Sequence, residues 1–100
     1  MKSFRTYELA KDFYKECQEV NLKGAMKNQF ERASLSVVLN LSEGSAKPTK
    51  KDRAKFYFIA YGSLRETRAL LDLAGNSNLN SKADKLGAHI WKLAHNPGGS

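Results

Sequence analysis

Apolar residues recur every three or four positions from Phe4 to Leu93, and neither of the two prolines falls inside a periodic run. That spacing repeats one face of an α-helix, whereas a strand needs strict alternation, which no segment shows. The chain therefore reads as all-α. Segment one runs from about Phe4 to Asn21, with Tyr7, Ala10, Phe13, Tyr14, Cys17 and Val20 on one arc and charged residues on the other. The second segment runs from Gly24 or Ala25 to Glu43, and Gly44 is expected to end it in the left-handed conformation that glycine adopts freely. Thr49 followed by Asp52 makes a capping box for a third helix from Lys50 to about Ala74, stopped by Gly75. Ser81 and Asp84 repeat the capping pattern before a fourth stripe of Ala83, Leu86, Ile90 and Leu93. Short connections favour antiparallel neighbours, so residues 1–95 are expected to form one up-down-up-down four-helix bundle and residues 96–100 a flexible tail.

Two of these helices carry more apolar surface than one core requires. On the second, Met26, Phe30, Ala33, Val37 and Leu41 form one stripe while Leu35, Val38 and Leu39 fall on the far side. The third repeats this, with Tyr57, Ala60, Tyr61, Leu64 and Leu71 on one stripe and Phe56, Ile59, Leu70 and Leu73 on another flank. Large exposed apolar patches are uncommon on soluble monomers, so the second faces suggest a subunit interface. Between them runs a polar ladder of Gln29, Arg32, Ser36, Asn40 and Glu43. It reads as a register device, with Asn40 and Glu43 expected to bond across to Ser63 or Arg68.

Seventeen Lys and Arg against ten Asp and Glu leave a formal charge of +7, a field that attracts polyanions. The densest cluster is KPTKKDRAK, where Lys47, Lys50, Lys51, Arg53 and Lys55 face Asp52 alone. Cations at a helix start oppose the helix dipole, and a bound phosphate backbone would relieve that opposition. Lys51, Lys55 and Arg65 share helical phase and extend the candidate contact surface. Arg68 lies in the apolar stripe, so it is expected first to pair with Glu43 or Glu66 and second to touch nucleic acid. No base-reading motif accompanies these cations, and binding by charge and shape is the expectation.

Catalysis finds little support. His89 and His95 are six positions apart and do not share a helix face, which disfavours a helical metal pair. Neither a glycine-rich phosphate loop nor a nucleophile elbow is present, and the single Cys17 excludes an intrachain disulfide. No cofactor, catalytic residue or small-molecule substrate is assigned. Trp91, Tyr57 and Tyr61 could stack on bases, although aromatics in a bundle more often fill its core. A lone Cys17 makes a reducing, cytoplasmic setting the expectation, and no apolar run nears the ~18 residues of a membrane span.

The motifs QFERASLSVVLNLSEG and FYFIAYGSLRE carry a resemblance through Gln29, Arg32, Ala33, Ser36, Asn40, Glu43 and Gly44, and through Phe56, Ala60, Gly62, Ser63, Leu64 and Glu66. In order and separation the chain resembles the bundle proteins encoded in intervening sequences of bacterial 23S ribosomal RNA genes, and the related accessory variability determinants of diversity-generating retroelements. That resemblance implies an antiparallel four-helix bundle, a homopentameric ring and nucleic-acid (RNA or DNA) binding without enzyme activity. For the retroelement relatives it also implies a reverse-transcriptase partner. The alternative reading is a protein-protein adaptor whose second apolar faces bind another chain.

Overall fold

The computed structural model describes residues 2–98 and contains four helices and, among the described residues, no strand. They are α1 (Lys2–Cys17), α2 (Gly24–Ser45), α3 (Lys50–Leu73) and α4 (Asn80–His95). At about 1.5 Å per residue the 24 residues of α3 span roughly the whole 39 Å long axis of the molecule. Each helix packs on its chain neighbours and α1 on α4, while among the described residues no Cα atoms of the two diagonal pairs come within 8 Å of each other. As numbers rise along α2 the partners on α3 fall: Arg32 meets Glu66, Ser36 meets Ser63, and Gly44 lies against Tyr57. Arg68 with Asp84 and Tyr61 with Trp91 show the same reversal between α3 and α4. Those neighbours are antiparallel, as their short connections, residues 46–49 and 74–79, require.

The core joins Phe13 and Cys17 of α1, Phe30, Val37 and Leu41 of α2, Tyr57, Leu64 and Leu71 of α3, and Leu86 and Ile90 of α4. These are the stripes read from the periodicity. Among the described residues, Thr6, Ser34 and Thr67 are polar and buried with them. Ser34 Oγ donates to the Phe30 carbonyl at 2.7 Å and Thr67 Oγ1 to the Ser63 carbonyl at 2.8 Å, so each of these two hydroxyls is satisfied by its own helix and adds no desolvation penalty.

The helix ends divide into those set locally and those set by packing. Thr49 Oγ1 accepts from the Asp52 backbone amide at 3.1 Å, the cap the motif implies. Gly75 takes φ +72° just past α3 and closes it as expected. Gly44 does not: α2 continues through it to Ser45, and Gly44 is buried against α3. A Cβ there would lie 2.8 Å from Tyr57 Cε1 and 3.0 Å from Phe56 Cβ, so this glycine serves close helix approach rather than termination. The Ser81 and Asp84 box is also absent, because α4 starts at Asn80 with Leu79 as an N-cap that makes no side-chain bond. Asp84 is drawn instead to Arg68. The first helix stops at Cys17, four residues before its expected end, and Val20 packs on the core from the following turn.

Of the expected tail, Gly99 and Ser100 lie outside the described residues. Pro97 offers its carbonyl to Arg53 Nε at 3.0 Å, so the chain after α4 is tied to the start of α3. His95 ends α4 with its ring on Trp91 at a centroid separation of 3.8 Å.

Candidate functional site

The polar ladder sits between α2 and α3 and crosses at two rungs. Arg32 donates to Gln29 Oε1 at 2.6 Å and to Glu66 Oε2 at 2.7 Å, an exposed bridge that contributes a few tenths of a kcal/mol, up to about 1. Ser36 and Ser63 share a hydrogen bond at 2.7 Å in a half-buried position. Asn40 reaches this rung only through Ser36, donating to its carbonyl at 2.9 Å and its hydroxyl at 3.0 Å. Glu43 turns away to Lys47 at 3.1 Å, one helical turn along. The crossing to Ser63 thus belongs to Ser36, not to Asn40 or Glu43, because the two hydroxyls are the groups that the α2·α3 register sets opposite each other.

Beside the ladder the second apolar faces are only partly covered. Val38 joins the core with Val37 and Leu41, whereas Leu35, Leu39 and Ile59 stay 39%, 56% and 43% exposed. The expectation of a far-side face holds for those three and for Leu73, and fails for Val38 and for Leu70, which packs on the core.

The predicted cations separate into tethered and free groups. Arg53 is tethered: besides Pro97, it donates to the Lys47 carbonyl at 3.0 Å and the Pro48 carbonyl at 3.1 Å, stapling the α2-α3 loop. Lys47 pairs with Glu43 and lies over the Phe56 ring at 5.1 Å. Lys50, Lys51, Lys55 and Arg65 have no carboxylate partner among the described residues, and Lys55 approaches Phe56 at 5.8 Å. Arg68 pairs with neither Glu43 nor Glu66. Its partners are Asp84 and, at 3.4 Å, Asp72, because Glu66 is taken by Arg32 and Glu43 by Lys47. With its side chain 32% exposed, Arg68 escapes the penalty of a buried charge.

A second basic region escaped sequence reading. Lys85, His89 and Lys92 of α4 share a face, and Arg5 of α1 comes close enough to act on His89. Burial first, then the Arg5, Lys85 and Lys92 charges, hold the His89 imidazole below its ordinary value. The three-four spacing of these α4 residues was legible, but Arg5 is brought in only by the α1·α4 packing. An open groove between α3 and α4, about 690 Å³, is walled by Tyr61 and Trp91 and carries Arg65 and Lys92 along it.

Burial, with a smaller contribution from Glu16, pushes the Cys17 thiol up to about 12, so the thiolate needed for attack is scarce at neutral pH. Among the described residues no three His, Cys, Asp or Glu side chains converge as a metal site. No helix of the described residues is long and apolar enough to cross a membrane.

A family model described as 23S rRNA-intervening sequence protein matches residues 3–95. No curated protein and no solved structure matches the chain.

Proposed function

Since the chain belongs to the 23S rRNA-intervening sequence protein family, we propose that it is a non-enzymatic bundle protein that assembles into a homo-oligomeric ring and binds RNA or DNA by charge and shape. The observation that supports binding is the set of cations with no carboxylate partner among the described residues: Lys50, Lys51, Lys55 and Arg65 on α3, with Lys85 and Lys92 on α4. Unpaired surface cations release counterions when they meet phosphates, which makes affinity fall with salt. Leu35, Leu39 and Ile59 around the ladder support assembly, since a second copy would cover them.

Binding to a generic duplex and a single strand, followed from low to moderate salt, tests the electrostatic mechanism. Replacing Lys50, Lys51 and Lys55 with glutamine, while keeping the stapling Arg53, should make the log-log salt slope shallower by about 0.9 for each duplex phosphate that is no longer neutralised. Salt-independent binding, or no binding, would overturn it. Mass measurement in solution tests assembly: a monomer would leave the apolar faces open and favour the adaptor reading.

A further inference from the structure

The α3·α4 groove contains a slot built from one tryptophan. His95, one helical turn after Trp91, covers part of the indole at 3.8 Å, and Tyr61 of α3 tilts toward it at 5.3 Å and 56°. One turn before Trp91 stand Gly87 and Ala88, so α4 offers no more than a methyl group on that side of the ring. The indole remains 48% exposed, which for the largest side chain in the molecule is an unusual amount of uncovered apolar surface.

Charge around the slot is unequal. At the far end of the groove Arg68 is neutralised by Asp72 and Asp84. Arg65, one turn beyond Tyr61, and Lys92, beside Trp91, line the groove without a carboxylate partner among the described residues. An exposed ring with room beside it and two free cations has the chemistry of a platform for a base and its flanking phosphates. A base inside a duplex is already stacked on both faces and cannot enter.

We propose that the α3·α4 groove holds an unpaired base of single-stranded nucleic acid, stacked on Trp91 and Tyr61 with its flanking phosphates on Arg65 and Lys92. This rests on the nucleic-acid reading above and adds to it a preference for single strands. Stacking of one base contributes about 1–3 kcal/mol, which corresponds to a preference of roughly 5- to 150-fold.

Trp91 is the only tryptophan, so its fluorescence reports on the slot alone. The full chain is titrated at low salt with a ten-nucleotide oligothymidine and with a hairpin duplex of equal charge, binding being read independently by anisotropy of labelled strands. The single strand should quench Trp91 and the duplex should not. Trp91→Leu should weaken single-strand binding by roughly 5- to 150-fold and leave duplex binding unchanged. Gly87→Gln fills the slot from its floor, where an added Cβ meets only Leu64 Cδ2 at 3.5 Å, and should likewise weaken single-strand binding. Salt-sensitive binding of both probes with no quenching and no effect of either variant would overturn the groove while the charge reading survives. No binding of either probe would overturn both. A Trp91 signal that changes with protein concentration alone would show that a second copy covers the slot, and would also overturn it.

Discussion

Gly44→Ala makes the close approach of α2 to α3 measurable. The new Cβ would stand 2.8 Å from Tyr57 Cε1 and 3.0 Å from both Tyr57 Cδ1 and Phe56 Cβ, where ordinary contact begins at 3.4 Å. Tyr57 is wholly buried and cannot swing aside, and the Phe56 Cβ moves only with its backbone. Overpacking of this kind costs about 1–3 kcal/mol, and the better helix propensity of alanine returns about 1 kcal/mol. With two neighbours to displace, the upper part of that range applies and the net loss is about 2 kcal/mol. Urea unfolding followed by circular dichroism should show a lower midpoint at unchanged slope, and the melting temperature should fall by roughly 8–16 °C. Gly62→Ala is the internal control, since an added Cβ there meets nothing within 4 Å. It should gain up to about 1 kcal/mol from helix propensity alone. A Gly44→Ala protein as stable as its parent would refute close packing as the reason for this glycine.

Thr49, Cys17 and His89 put the same geometry to further tests. Thr49→Ala removes the acceptor for the Asp52 amide and should lower stability by about 1 kcal/mol in the same unfolding experiment, whereas Thr49→Ser should restore most of it. Cys17, with its thiol pushed up to about 12, should react with a thiol reagent only at the rate of unfolding, and fast labelling of the native protein would contradict its burial. His89 is held below the value it has in the unfolded chain, so the unfolded state takes up a proton first as pH falls. Stability is therefore complete above about 6.5 and declines as pH drops from there toward the folded value. Phosphates bound near Arg5, Lys85 and Lys92 should raise the His89 titration midpoint, which NMR of its ring protons reads directly, and an unmoved midpoint under saturating oligonucleotide would place the phosphates elsewhere.

What the sequence determined by itself is what local physics determines. Helical periodicity placed four helices and their buried stripes, since residues three and four apart must share a face whatever surrounds them. Thr49 caps and Gly75 stops because both act within one turn of chain. The two motifs sufficed to indicate the family whose model spans residues 3–95.

Tertiary structure decided whatever depends on a partner distant in sequence. Gly44 and Gly75 look alike as letters, and only the position of Tyr57 separates a packing glycine from a terminating one. From sequence Arg68 is expected to pair with Glu43 or Glu66, but α4 supplies Asp84 while Arg32 takes Glu66 and Lys47 takes Glu43. Arg53 reads as a surface cation until two carbonyls of the α2-α3 loop and one from the segment after α4 converge on it. Ser34 and Thr67 are polar yet buried, because a hydroxyl that bonds its own helix can enter a core without losing a hydrogen bond. The ladder keeps its place between two apolar faces, but which of its members crosses was settled by how α2 and α3 align, at Ser36 and Ser63. Periodicity assigns a residue to a face of its helix, whereas the identity of what meets that face is fixed by the angle and register at which two helices pack.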